Sequence, residues 1–186
     1  MVRDPSSAAV IWFTGLSGAG KSTIASAVFE ELCRLGVAAE HLDGDAVRHW
    51  SPAGFTRADR DAHVKRVGYL ASRLEHHGVT VVCALISPYA EARAYVRSLC
   101  RRFVEVHVAT PLAECERRDV KGLYARARAG EILNFTGIDD PYEPPEKPEV
   151  TIDTTKVSVK ESSRVVLETW GRHSSGRQGS DVLSHA

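Results

Sequence analysis

The sequence lacks a charge imbalance and a long apolar run, and each absence excludes a class of partner. Its 186 residues carry 24 basic and 24 acidic side chains, so the formal net charge is zero. Nucleic-acid binders use a surplus of positive charge, so we expect no nucleic-acid partner. No apolar run approaches the roughly 20 residues that span a bilayer, so no membrane partner is expected either.

Cysteines are few and widely separated. Cys33, Cys83, Cys100 and Cys115 form no C-x-x-C pair and lie in apolar patterns. This spacing favours small buried side chains over a disulfide framework or a zinc site. Residues 1–5 also lack the features of a signal peptide. Together these observations predict a protein of the reducing cytoplasm.

The stretch G-L-S-G-A-G-K-S at residues 15–22 matches the pattern G-x-x-x-x-G-K-[ST] at every fixed position. A β-forming apolar run at residues 8–14 precedes it, and residues 21–35 follow with apolar side chains at helical spacing. Between a strand and a helix, such a glycine loop binds phosphate through backbone N–H groups and the helix N-terminus. We therefore predict a bound nucleoside triphosphate, with Lys21 at its β- and γ-phosphates and Ser22 on Mg²⁺.

Strands and helices alternate along the rest of the chain. Further strands are predicted at residues 37–42, 79–86, 103–109 and 150–153, with helices at 56–77, 87–100, 110–118 and 158–171. This order predicts an α/β fold of the P-loop NTPase type, a doubly wound, mainly parallel sheet with helices on both faces. Residues 119–149 are polar and rich in proline, and we interpret them as a late lid insertion. We expect a single domain over residues 1–172 and a disordered tail over 173–186.

The glycine loop, Asp43 and Ser87 are expected at the carboxyl ends of these strands, where ligands of such sheets bind. Asp43 follows the second strand, and we expect it to orient an acceptor hydroxyl and contact Mg²⁺ through water. The alternative is that residues 43–45 (D-G-D) are simply a turn with no role in catalysis. Arg48, Arg60 and His63 suggest contact with an anionic acceptor, because guanidinium groups match phosphate and sulfate oxygens. The alternative for Arg60 and His63 is a solvated helix start.

In the lid, Phe135 stands among polar residues. It either stacks on a flat ring of the ligand or packs the lid against the body of the domain.

Four segments resemble the adenylylsulfate kinases (APS kinases), over about residues 10–153. They are residues 15–23; residues 42–45 together with Arg48; residues 86–88; and the stretch 118–148. The last contains K-G-L-Y at 121–124, A-R-A-G-E at 127–131 and N-F-T-G-I-D at 134–139. The glycine loop is shared by many kinases, whereas long lids diverge between kinase families, so the last segment is the most specific.

The resemblance implies transfer of the ATP γ-phosphate to the 3′-hydroxyl of adenylylsulfate, giving 3′-phosphoadenylyl sulfate and ADP for sulfate activation. It implies ATP and Mg²⁺ as cofactors and a homodimer as the assembly. Asp43, Lys21 and Ser87 are the implied catalytic residues, with Ser22 and Asp43 at the metal. The ATP contacts it implies are Gly15, Leu16, Ser17, Gly18, Ala19, Gly20, Lys21, Ser22, Thr23 and Arg117.

The same resemblance implies an acceptor site. Its adenine would lie between Phe55 and Phe135, and Arg48 and Arg60 would hold its phosphosulfate. The implied set is Asp45, Arg48, Phe55, Arg60, His63, Ile86, Ser87, Lys121, Arg126 and Phe135. Family descriptions often give the serine matching Ser87 as a phosphoserine intermediate. Direct in-line transfer needs no such intermediate, so its role is open.

Two departures from the family pattern affect the acceptor pocket. His63 stands where relatives have asparagine, and the loop between Arg48 and Phe55 is shorter than usual. One alternative is therefore a kinase for a different nucleotide-linked or small alcohol acceptor. A second is a non-catalytic nucleotide-binding regulator. A guanine-reading N-K-x-D motif is excluded, because Asn134 is the only asparagine.

Overall fold

The computed structural model describes residues 7–50, 54 and 56–175, and of residues 45, 49, 50 and 173–175 only the backbone. The strands are β1 (Val10–Thr14), β2 (Ala39–Asp43), β3 (Thr80–Ala84), β4 (Phe103–Val108) and β5 (Val150–Ile152). The helices are α1 (Lys21–Arg34), α2 (Gly44–Trp50), α3 (Arg57–His76), α4 (Ala90–Leu99), α5 (Leu112–Arg118), α6 (Leu123–Arg128) and α7 (Val159–Ser175).

The strands form one parallel sheet in the order β2-β3-β1-β4-β5. All five residues of the central β1 are buried, as expected for a strand covered on both faces. Ile11 and Phe13 face one core cluster, and Val10 and Trp12 face the other, because side chains alternate along a strand. The P-loop NTPase-type α/β prediction is confirmed.

Helices cover both faces of the sheet. The first cluster includes Ile24 and Val28 of α1 and Val166 of α7, and the second includes Val67 of α3 and Val96 of α4. The approach of α3 to α4 is close. A Cβ atom at Gly68 would lie 2.2 Å from Val96 Cγ2, so this crossing needs glycine. Among the described residues, no helix has the length and apolar character to cross a bilayer.

The structure departs from the predicted elements most clearly in three places, beyond shifts of a few residues at other helix and strand ends. Residues 44–50 form helix α2, where we expected a turn and a loop; no proline interrupts the chain before Pro52. The lid contains the short helix α6, begun by Gly122 in a left-handed conformation. Helix α7 continues to Ser175, so residues 173–175 of the predicted tail are helical. The predicted disorder of 176–186 lies outside the described residues.

Candidate active site

The glycine loop connects β1 to α1 at the carboxyl edge of the sheet. Gly15, Gly18 and Gly20 have φ angles of +146°, +71° and +105°, which side chains rarely allow. A Cβ atom at Gly15 would also lie 2.5 Å from the carbonyl oxygen of Val108. The loop can therefore keep this path only with glycine at these positions.

Lys21 begins α1 and is 8% exposed. Its Nζ donates to the carbonyl oxygen of Leu16 at 2.7 Å, so the ammonium lies over the loop. The loop, the helix N-terminus and this cation together present positive charge to an anion.

Ser22 and Asp43 bring the loop and the end of β2 together. The Ser22 hydroxyl donates to Asp43 Oδ2 at 2.9 Å. Oxygen donors of this kind suit Mg²⁺, which commonly binds through one or two protein ligands and completes its shell with water and phosphate. A dedicated cage is absent: the described residues contain no group of three or more His, Cys, Asp or Glu side chains placed to hold a metal. The pair therefore fits a metal that arrives with a nucleotide.

The segment after β3 lies beside the start of the glycine loop. Thr14 Oγ1 donates to the Ile86 carbonyl at 2.8 Å, and the Gly15 N–H donates to the same oxygen at 3.4 Å. Ser87 is 2% exposed, with φ at +40°. Its Oγ accepts a hydrogen bond from Trp12 Nε1 at 3.0 Å. The Ser87 hydroxyl is thus engaged within the fold.

Arg60 joins α3 to the lid. It is 5% exposed, and its guanidinium donates to Thr136 Oγ1 at 2.8 Å and to the Asn134 carbonyl at 2.5 Å. His63, one turn later on α3, is 3% exposed. The solvated helix start considered for these two residues is therefore wrong. Contact with the acceptor stays a prediction.

Phe135 lies inside the lid and is 7% exposed. Its ring meets Tyr124 edge to face, with centroids 5.0 Å apart and an interplanar angle of 80°. The Asp139 carboxylate accepts the N–H groups of Asn134 and Phe135, and the first of these is the main reason why the pKa of Asp139 is lowered. Phe135 also belongs to the core cluster that includes Ile11 and Phe13 of β1, which favours the packing interpretation. Stacking on adenine stays a prediction.

A cavity of about 550 Å³ opens between the glycine loop and the lid, lined by Leu16 and residues 137–142. Tyr142 closes one side, with its hydroxyl 3.0 Å from Thr14 Oγ1. Burial raises the pKa of Tyr142 to about 12, so the phenol stays protonated at neutral pH. Since Thr14 donates to Ile86, Tyr142 is the donor in this pair, and it connects the lid to the loop.

Other predicted residues lie apart from this cavity's lining. Arg117 has a 73% exposed side chain and pairs with Glu114 at 2.7 Å. Arg126 pairs with Glu131 at 3.2 Å on the surface, and Lys121 is exposed. Arg48 donates to the Gly54 carbonyl at 3.3 Å. Phe55 and the side chain of Asp45 lie outside the described residues.

Arg93 of α4 also lies in this region, although it was not among the predicted site residues. It is 3% exposed. Its guanidinium donates to Glu105 Oε1 at 2.9 Å, to the Ser87 carbonyl at 2.7 Å and to the Glu143 carbonyl at 2.6 Å. It therefore connects the acceptor-side segment to the lid. Nothing local in the sequence distinguishes it from the other arginines.

Known proteins with similar sequences belong to one family. The sequence model of the "Adenylylsulphate kinase" family matches residues 7–153. An adenylyl-sulfate kinase of Synechococcus sp. (strain JA-3-3Ab) is 53% identical over 165 residues, covering 88% of this chain and 94% of its own. One from Deinococcus deserti is 52% identical, over 87% and 91% of the two chains.

Solved structures agree. The APS kinase of Mycobacterium tuberculosis in complex with AMPPNP and APS superposes with a TM-score of 0.84 at 43% identity, covering 88% of this chain and 98% of that one. A hexameric APS kinase from Thiobacillus denitrificans has a TM-score of 0.68 at 36% identity, over 89% of this chain and 29% of that one.

Proposed function

Since the chain belongs to the adenylylsulphate kinase family, we propose that it transfers the γ-phosphate of ATP to the 3′-hydroxyl of adenylylsulfate. The products are 3′-phosphoadenylyl sulfate and ADP. Within the geometry, the observation that carries the reaction class is the 2.9 Å hydrogen bond from Ser22 to Asp43. It puts a carboxylate beside the phosphate-binding loop, where phosphoryl transfer needs one.

The chain's own residues divide the work between donor and acceptor. Backbone N–H groups of the glycine loop hold the phosphates, and Lys21 moves from the Leu16 carbonyl toward the β- and γ-oxygens. Asp43 orients the acceptor hydroxyl and takes its proton late, because an aspartate is a weak base toward a resting hydroxyl. The lid excludes water from the transferring phosphoryl group.

Mg²⁺ is the metal that we assign to Ser22 and Asp43. When bound, it would neutralise negative charge on the phosphates of ATP. Hard oxygen ligands support this choice over zinc or copper.

For the acceptor we retain the predicted residues around Arg60, His63, Ile86 and Phe135. The similarity to the M. tuberculosis enzyme, whose structure contains APS, supports adenylylsulfate. We further propose a homodimer, for which the hexameric relative gives indirect support. A cytoplasmic location is proposed because all four cysteines are free thiols, two of them buried.

The test is ADP release with adenylylsulfate, with a panel of nucleotides and small alcohols, and without acceptor. We expect ADP release in the presence of adenylylsulfate, and none with the other acceptors or without an acceptor. His63→Asn restores the residue of the family pattern and serves as a matched variant, expected to keep the same acceptor preference. Turnover with another acceptor, while adenylylsulfate failed, would contradict the proposal. Slow hydrolysis that needs no acceptor would instead indicate a nucleotide-dependent regulator.

A further inference from the structure

Two carbonyl oxygens of the glycine loop accept hydrogen bonds from side chains behind it. The Tyr124 hydroxyl of α6 donates to the Ser17 carbonyl at 2.9 Å. The Ala19 carbonyl is 2.9 Å from Thr110 Oγ1 and 3.1 Å from Thr154 Oγ1. These two threonines, which follow β4 and β5, also contact each other at 2.7 Å.

The donors are held firmly. Tyr124 is 1% exposed and Thr110 is 3% exposed. The Asp119 carboxylate accepts the N–H groups of Tyr124 and Ala125 at 3.0 Å each, which fixes the start of α6. Arg118 donates to Thr154 Oγ1 at 2.8 Å. The donors to these two carbonyl groups are thus side chains that the fold holds in place.

These bonds have a consequence on the other side of the loop. In a planar trans peptide the C=O and the following N–H point in opposite directions. A Ser17 carbonyl held outward therefore turns the Gly18 N–H inward, and an Ala19 carbonyl held outward does the same for the Gly20 N–H. Glycine at both positions leaves these peptides free to rotate without such bonds. Side-chain contacts to these carbonyl groups therefore fix the direction of backbone N–H groups of the phosphate-binding loop.

We propose that Tyr124, Thr110 and Thr154 are positioning residues of the donor site, which fix the inward direction of the loop N–H groups before ATP binds. The inference rests on the proposed function in that the loop binds ATP and, for the Tyr124 ring, in that Phe135 contacts the acceptor. Because Tyr124 belongs to the lid and its ring packs on Phe135, one side chain supports both substrates. Its hydroxyl serves the donor, and its ring serves the acceptor side.

The experiment is calorimetric titration of Tyr124→Phe with ADP in the presence of Mg²⁺, alongside steady-state kinetics. Losing one hydrogen bond that orders the loop should raise the Kd for ADP and the KM for ATP roughly 3- to 10-fold. The KM for adenylylsulfate should stay within twofold, because the ring remains. Tyr124→Leu, which also removes the ring, should raise both KM values.

Tyr69→Phe is the matched control, since Tyr69 of α3 is 60% exposed and loses the same hydroxyl group. It should change neither constant. The double variant Thr110→Val with Thr154→Val tests the Ala19 carbonyl independently, should Tyr124→Phe fail to fold. It too should weaken ADP binding, with adenylylsulfate unaffected.

A lowered melting temperature with an unchanged Kd for ADP, in Tyr124→Phe or in the double variant, would show that these contacts serve stability alone and would overturn the inference. An equal rise of both KM values in Tyr124→Phe would overturn it as well. If the unaltered chain itself bound no ADP, the proposed function would fail first, so the two failures are distinguishable.

Discussion

The Ser87 hydroxyl lies against the Trp12 indole in the interior of the fold. It accepts the indole N–H at 3.0 Å in a side chain that is 2% exposed. The Ser87 carbonyl is also occupied, by Arg93 at 2.7 Å and by Thr14 at 3.4 Å. These contacts hold a backbone with a φ of +40°, which is unusual outside glycine. They favour a role in shaping the segment after β3 over a role as a nucleophile.

Ser87→Ala should therefore retain kcat within about threefold and lose stability. Its cost is the buried Trp12 N–H left without an acceptor, about 1–3 kcal/mol. Kinetics and urea unfolding measure the two effects. A loss of activity of two orders of magnitude, or an acid-stable phosphate on this serine during turnover, would restore the phosphoserine intermediate.

At this scale the sequence predicted residues whose role depends on a local pattern. The glycine loop is such a case, because its function is encoded in eight consecutive residues. The Trp12–Ser87 and Tyr124–Ser17 bonds join residues 75 and 107 positions apart. Only the tertiary fold brings these side chains together, so no local sequence pattern could predict these hydrogen bonds.

At the scale of elements, the C-terminal part of the lid is fixed to α4 and β4 by charged side chains that are buried or partly buried. Arg93 pairs with Glu105 at 2.9 Å, and Glu105 also lies 3.2 Å from Arg97. Arg97 in turn pairs with Glu149 at 2.7 Å, just before β5. Burial disfavours the charged form of Glu149, but the hydrogen bonds from Arg97 and the Glu105 N–H outweigh it, so the pKa of Glu149 is lowered.

Arg93→Met should destabilise the fold by roughly 2–4 kcal/mol, because Glu105 then loses a buried partner and two carbonyl groups lose a donor. The free energy of unfolding in urea measures this. Arg164→Met is the control: Arg164 of α7 pairs with Glu161 and Glu168 at the surface, and its loss should leave the free energy of unfolding nearly unchanged. Equal costs for the two variants would contradict the assignment.

Element types were largely predictable because the strands are continuous apolar runs and the helices show regular spacing. The predicted start of α3 at residue 56 is confirmed to within one residue: Thr56 caps the helix, and its side chain and that of Asp59 form a capping box. Helix α2 was missed because its residues show no apolar period. Helix α6 was missed because its order depends on Asp119 binding two N–H groups.

For the whole molecule, two half-buried histidines set a direction for stability against pH. Burial lowers the pKa of His41 in β2, and the neighbouring Asp43 and Glu40 offset this only in part. Burial also lowers the pKa of His107 in β4, with Arg93 adding to the effect. The His107 ring stacks on Tyr142, with centroids 5.8 Å apart.

Both imidazoles have an ordinary pKa of 6.5, and the pKa of each is lower in the folded chain. Below pH 6.5 the unfolded chain therefore binds more protons than the folded chain does. Stability should therefore fall as the pH drops from about 7 toward 5, above the range where carboxylates titrate. Replacing both histidines with glutamine should flatten this slope of the free energy of unfolding. A stability that stayed constant or increased over this interval in the unaltered protein would contradict the sign.

The oxygen that receives the phosphoryl group distinguishes the candidate reactions, and the structure of the product identifies this oxygen most directly. After complete reaction of ATP with adenylylsulfate, ³¹P NMR should show one new phosphate monoester coupled to the ribose H3′, in equal amount to ADP. Phosphate on another oxygen, or ADP accompanied only by inorganic phosphate, would contradict the assignment of this site.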